Sequence, residues 1–213
     1  MIKRVIFDID NTLVMWKDEY YKKINNVLEE LGIEYTDEDY NRILEALDEY
    51  ENEYYIFDRK LMLEYINKYT QKQYPKEFIY NLTDKWANCV PDKMDSKIIE
   101  TLEYLKSKYE LVILTDWYAD QQKERLEKLD ILKYFTNVYS AEKTKRKPFK
   151  EAFMQAIGTS KPEECIMIGD NLERDIKGAL NCGLKAVHYT PNNKEKNEKY
   201  YTISKLEELR EIL

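Results

Sequence analysis

From residue 98 onward, strand and helix signals take turns along this 213-residue chain, and that alternation restricts the fold more than any other feature. Ile98, Leu102 and Leu105 mark a helical face, and residues 110–115 (ELVILT) form an apolar run of strand length. The pattern then predicts a helix over 119–129, a short strand over 137–140, and a helix whose first turn begins at Pro148 with Phe149, Phe153 and Ile157 behind it. A strand over Cys165–Gly169 (CIMIG), a helix over 172–181, a strand over 184–188 and a helical tail near 204–213 complete it. Strands separated by helices imply a parallel sheet with helices on both faces.

The first strand of that sheet stands far upstream. Lys3-Arg4-Val5-Ile6-Phe7-Asp8-Ile9-Asp10 is a short apolar run rich in β-formers that ends in carboxylates. Residues 17–90 read differently, as helix after helix. Ile24, Val27, Leu28 and Leu31 share a face that Gly32 terminates, and Thr36-Asp37-Glu38-Asp39 has the form of a capping box. Met62, Tyr65, Ile66 and Tyr69, then Phe78, Ile79, Leu82 and Trp86, supply two more helical faces. A helical block of this kind cannot join a parallel sheet. The expected organisation is a core of residues 1–16 and 91–213, with 17–90 as a separate helical cap hinged near 14–18 and 88–94.

Composition excludes several classes. The formal net charge is −7, so the chain is a poor general binder of nucleic acid, whose phosphates need a positive surface. Cys89, Cys165 and Cys182 are an odd number with no close pair, which reads as free thiols and not a disulfide framework or zinc site. His188 is the single histidine, too few for a multi-histidine metal centre. No cleavable leader or membrane-length apolar run stands out, and a soluble cytoplasmic protein is expected.

Four places along the chain carry chemistry. Asp8 and Asp10 are two apart at a strand end, so if strand geometry persists their side chains share a side. Two carboxylates forced together become tolerable with a divalent cation between them, and oxygen ligands suit Mg²⁺. Taken alone, the pair reads better as two solvated aspartates. Thr115 ends an apolar strand, where its hydroxyl can bond a phosphate oxygen or simply serve a turn. Lys147 precedes Pro148, as a phosphate-neutralising ammonium or as one member of a solvated basic run over 143–147. Gly169-Asp170-Asn171, with Asp175 five residues after Asp170, brings more carboxylates than a structural role requires.

Taken in order, Phe7-Asp8-Ile9-Asp10-Asn11-Thr12-Leu13, Leu114-Thr115, Lys147-Pro148 and Gly169-Asp170 with Asp175 resemble the four motifs of the haloacid dehalogenase-like (HAD) hydrolase superfamily. Asp175-Ile176, Gly178-Ala179 and Cys182-Gly183 extend the likeness, which covers essentially the whole core. The insertion after the first motif is similar to the family's helical cap type. The resemblance implies an α/β fold, with a Rossmann-like parallel-sheet core and an all-helical cap.

It also implies a Mg²⁺-dependent phosphatase in which Asp8 is the nucleophile and Asp10 the general acid and base. Asp8, the backbone carbonyl of Asp10, and Asp170 would hold Mg²⁺. Thr115 and Lys147, with Asp116 beside them, would form the phosphate pocket. Asp175 and Asn171 would support that set from behind, Asp175 by orienting Lys147 or a metal-bound water. Asp116 departs from the commoner Asn and puts a further negative charge beside the pocket, unless it points away or pairs with a cation.

Dehalogenase chemistry needs no second aspartate, so Asp10 argues against it, while a phosphomutase of the β-phosphoglucomutase type and a catalytically silent phosphate-binding module stay open as alternatives. The implied substrate is a small phosphorylated metabolite: a nucleoside monophosphate, a sugar phosphate or phosphoglycolate. The protein would act as a monomer or homodimer. Trp16, just after the first motif, is the expected substrate-contacting residue of the cap. Tyr20, Tyr21, Tyr50, Tyr54, Tyr55 and Trp86 could line the same pocket, although aromatic residues at helical spacing more often pack a core.

Overall fold

Arg4–Phe7 (β1) is buried at every position, as a strand flanked on both sides must be. In the computed structural model it pairs in parallel with Glu110–Leu114 (β2) on one side and Cys165–Gly169 (β4) on the other. Asn137–Tyr139 (β3) continues the sheet beyond β2, and Lys185–Tyr189 (β5) and Tyr201–Ile203 (β6) continue it beyond β4. The strand order is therefore β3-β2-β1-β4-β5-β6, with every pair parallel. The model describes residues 1–15, 22–142, 144–191 and 197–213.

Side chains alternate across a strand, so each strand supplies two faces. Ile6, Val112, Leu114, Met167 and Ala186 lie in one apolar cluster with Ala152, Phe153 and Ala156 of a helix at Lys150–Ile157. The intervening residues Val5, Phe7, Ile113, Ile168 and Val187 are equally buried, so the opposite face is covered as well. Phe7 meets the edge of Phe135 there, ring centroids 6.0 Å apart. The predicted doubly covered parallel sheet is what forms.

Winding outward from β1 in one direction and from β4 in the other leaves a switch point between these two strands. In sheets of this kind the crevice beyond the strand carboxyl ends at the switch point is where ligands bind. Asp8 follows β1 and Asp170 follows β4. Both acidic residues therefore stand at that crevice for topological reasons.

The chain divides into two compact units, Met1–Met15 with Pro91–Leu213 and Trp16–Val90. The second contains Lys22–Glu30 (α1), Asp37–Glu53 (α2), Arg59–Thr70 (α3) and Lys76–Ala87 (α4), with no strand among its described residues. Thr36 caps α2 through the expected box, its hydroxyl accepting from the Asp39 amide while Asp39 accepts from the Thr36 amide. Tyr50 and Trp86 are buried, and Tyr50 stacks on Tyr54 and meets Phe57 and Tyr65 edge-on. These two aromatic residues are core packing. None of the three cysteines is joined in a disulfide. Among the described residues no helix is long and apolar enough to cross a membrane.

Two local expectations change, and the strand β6 goes beyond them. The helix after residue 148 begins only at Lys150, because Lys147 is held across the site and Pro148, joined to it by a cis peptide, lies in the turn before the helix. Residues 172–181 are not one α-helix: Leu172–Lys177 winds as a π-helix before Gly178–Asn181 becomes α-helical, a form often found at functional sites. The three-residue β6 is too short for any periodic signal.

Candidate active site

Asp8 is held in line with the neighbouring strand by its backbone N–H, which donates to the Ile168 carbonyl at 2.9 Å. Its buried carboxylate accepts from the Lys147 ammonium on Oδ1 at 2.6 Å. The same ammonium donates to Asp175 Oδ1, also at 2.6 Å. Lys147 is thus clamped between two acids. Asp175 is fixed in turn, its Oδ2 accepting from the Asn171 amide at 3.1 Å. Gly169 makes this possible, since a Cβ there would stand 2.3 Å from Asp175 Cγ. Asn171 spends its own side chain capping the π-helix, accepting from the amides of Glu173 and Arg174.

Thr12 Oγ1 lies 3.3 Å from Asp8 Oδ2 and 3.2 Å from Asp170 Oδ1. A hydroxyl has one hydrogen, so it can donate to only one of these carboxylates at a time. Carboxylate oxygens of Asp8, Asp170 and Asp175 all lie within 4.8 Å of one another. The side chains around these three acids supply them one ammonium and one hydroxyl hydrogen, and the carboxylate oxygens are hard ligand atoms. That set fits a divalent cation of the Mg²⁺ type.

The electrostatics show the same imbalance. Burial pushes the Asp8 carboxyl well up from its ordinary value; Lys147 opposes the shift and Asp175 and Asp10 add to it. Burial and the neighbouring Asp175 also raise Asp170. For Lys147, burial works against the charged form, but Asp175, Asp8 and Asp116 together outweigh it and hold the ammonium well above the ordinary lysine range.

Asp10 has side-chain partners of its own. Strand geometry ends at Phe7, and residues 11–14 turn back so that Asn11 adopts φ 59 and Val14 pairs with Asp10. The Asp10 carboxylate is gripped by Ala119–Lys128 (α5). Arg125 donates to Oδ1 at 2.5 Å and Gln122 donates to Oδ2 at 2.6 Å. Gln122 also donates to Thr115 Oγ1 at 2.9 Å, which ties Asp10 and Thr115 into one network.

Asp116, next to Thr115, has both carboxylate oxygens engaged. Its Oδ1 accepts from the Lys147 backbone N–H at 2.9 Å, and Oδ2 is 3.8 Å from Arg174. The acid that departs from the usual Asn therefore braces the lysine loop and pairs with a cation. Burial raises its pKa, with Lys147 acting against the shift. Trp16 and Lys143 lie outside the described residues.

The structure brings Asp8, Lys147, Asp170 and Asp175 into direct register, with Thr115 and Asp10 joined alongside. Sequence reasoning passed over Gln122, Arg125 and Arg174, which sit among charged helical residues with nothing to mark them. Thr12 was legible only as part of a motif. His188, the single histidine, places Nε2 2.9 Å from the Asp170 backbone carbonyl and so steadies that residue.

A parallel sheet whose switch point gathers strand-end carboxylates around a clamped lysine defines a hydrolase-type α/β protein. The chain belongs to the haloacid dehalogenase-like hydrolase family, whose model matches residues 5–189. It is 32% identical to the human N-acylneuraminate-9-phosphatase over 120 residues, covering 53% of this chain and 48% of that protein. It is 30% identical to the pyrimidine 5'-nucleotidase YjjG of Escherichia coli over 122 residues, 54% of each. The chain thus spans about half the length of these curated relatives. A magnesium-bound structure of the HAD-hydrolase YfnB from Bacillus subtilis shares the fold, with a TM-score of 0.76 at 21% identity over 99% of this chain and 98% of that one.

Proposed function

We propose that this protein is a Mg²⁺-dependent phosphatase that hydrolyses a small-molecule phosphate monoester through an aspartyl-phosphate on Asp8. The observation that carries the reading is the buried Asp8 carboxylate, with Lys147 on one oxygen and Thr12 on the other, the same Thr12 hydroxyl also meeting Asp170. An acid there is a nucleophile at the one place where an anionic ester can have its charge neutralised.

Asp8, Asp170 and the backbone carbonyl of Asp10 would hold the cation. When bound, Mg²⁺ neutralises phosphoryl oxygens and removes the repulsion between ester and nucleophile. The rest is done by side chains of this chain. An Asp8 oxygen attacks phosphorus, the ester oxygen departs, and Asp10 supplies its proton. Water then attacks the aspartyl-phosphate, Asp10 takes the water's proton, and phosphate leaves with Asp8 restored. Lys147 neutralises the transferring group, and Asp175 keeps that ammonium in place. Thr115 donates to a phosphoryl oxygen.

The relatives' names point to different substrates, an N-acylneuraminate-9-phosphatase and a pyrimidine 5'-nucleotidase among them. We therefore assign only the class, phosphate monoesters of small metabolites. Phosphate release from a panel of nucleoside monophosphates, sugar phosphates and phosphoglycolate, with and without Mg²⁺, tests the reading. Release only with Mg²⁺ supports it. Isomerised sugar phosphate without free phosphate, or no turnover of any ester, contradicts it.

A further inference from the structure

The side-chain amide of Gln122 can be oriented by chemistry alone. One end faces Arg125 Nη1 at 2.8 Å, and a guanidinium only donates, so that end is the amide oxygen. The NH₂ end then faces Asp10 Oδ2 at 2.6 Å and Thr115 Oγ1 at 2.9 Å, using both of its hydrogens. Gln122 and Arg125 are both buried, so solvent does not stand in for any of these bonds. The polarity runs one way, from Arg125 through Gln122 to Thr115 and Asp10.

Thr115 receives a second donor, the Trp117 backbone N–H at 3.2 Å. A hydroxyl oxygen has two lone pairs, and both are now occupied. Its hydrogen is left with one use, to donate. Turning it toward Gln122 would set hydrogen against hydrogen. The hydroxyl is thereby fixed as a donor before any ligand arrives, and no ordering cost is left for the ligand to bear.

We infer that Gln122, locked by Arg125, is a positioning residue that fixes Thr115 as an obligate hydrogen-bond donor to a phosphoryl oxygen. The inference rests on the phosphatase reading, because it needs an anion at Thr115. Gln122 itself touches no substrate. Gln122 also holds Asp10, so the part of its effect on phosphate binding that passes through the Thr115 hydroxyl is what distinguishes it from a residue that merely packs α5.

A double-mutant cycle on the full chain with saturating Mg²⁺ tests this, reading the affinity for inorganic phosphate by calorimetry and by inhibition of aryl-phosphate hydrolysis. Gln122→Met keeps the volume and removes both donors; Thr115→Val removes the hydroxyl. Each single change should weaken phosphate binding roughly tenfold or more, the scale of one hydrogen bond to a charged group. The double variant should bind no more weakly than Thr115→Val alone. Gln122→Glu, with the same shape but accepting where the amide donates, provides a second cycle should Gln122→Met fail to fold; its loss should shrink in the Thr115→Val background. Equal losses in both backgrounds, or none, overturn the inference. If the unaltered protein neither binds phosphate nor hydrolyses the aryl ester, the phosphatase reading itself fails and the inference falls with it.

Discussion

Lys147 and Asp8 form a buried ion pair, Nζ to Oδ1 at 2.6 Å, that spans the end of the sheet and joins residues 139 positions apart. The ammonium has a second partner of the same sign, Asp175, at the same distance. Removing the lysine would leave two buried acids facing each other. Lys147→Met should therefore abolish turnover and cost about 3–5 kcal/mol of stability, the usual scale for breaking a buried pair by deleting one member. Urea unfolding followed by circular dichroism checks the second figure. An unchanged midpoint would mean the pair is not formed in solution.

Gly169 allows Asp175 to lie against the strand end, with no room for a methyl group at the 2.3 Å separation a Cβ would have. Gly169→Ala should destabilise by about 1–3 kcal/mol through overpacking. It should also lower turnover, because Asp175 can no longer hold Lys147 in place. A crystal structure of the variant with Asp175 unmoved would refute the argument.

Burial raises the pKa of Asp8 and of Asp170. A carboxyl whose pKa is raised on folding stabilises the fold while protonated, and that contribution is lost as pH rises through the raised value. The metal-free protein should therefore lose stability on passing upward through a range above the ordinary carboxylate values of about 4. Mg²⁺ held by these carboxylates would bind only their deprotonated form, so the rise in Tm on adding Mg²⁺ should be larger at pH 7 than at pH 5. Differential scanning fluorimetry at the two pH values decides it. A shift of equal size at both would count against these carboxyls as ligands.

Asp170→Asn should leave the protein folded and raise the Mg²⁺ concentration needed for half-maximal rate by roughly tenfold or more, since a neutral oxygen replaces an anionic ligand. Asp10→Asn should instead slow the reaction at every Mg²⁺ concentration, most strongly for alkyl esters whose leaving oxygen needs a proton. A titration of rate against Mg²⁺ for both variants separates the two roles. Identical curves would contradict the assignment.

Much of the site was legible because parallel-sheet topology turns sequence order into position. Asp8, Thr115 and Asp170 each follow a buried apolar run, and strand ends at one edge of a sheet converge whatever lies between them. Lys147 and Asp175 could be added only through the ordered motifs, since Lys147 by itself reads as one member of a solvated basic run. Gln122 and Arg125 could not. In the stretch ADQQKERLEK nearly every residue is polar, and helical periodicity marks an apolar face, not a buried polar one. The relation between Asp8 and Asp10 could not be carried by strand alternation either. Alternation holds only while the backbone stays extended, and the chain turns after Asp8 so that Val14 returns beside Asp10.

The central claim is a covalent bond between phosphorus and the Asp8 carboxylate. Acid-quenching the protein during turnover of an aryl phosphate with Mg²⁺, followed by mass spectrometry of the N-terminal peptide, measures it directly. The account predicts a phosphoryl adduct on Asp8 that is absent without Mg²⁺ and absent in Asp8→Asn, which should also show no turnover. Sustained hydrolysis by Asp8→Asn, or an adduct on another residue, would contradict it.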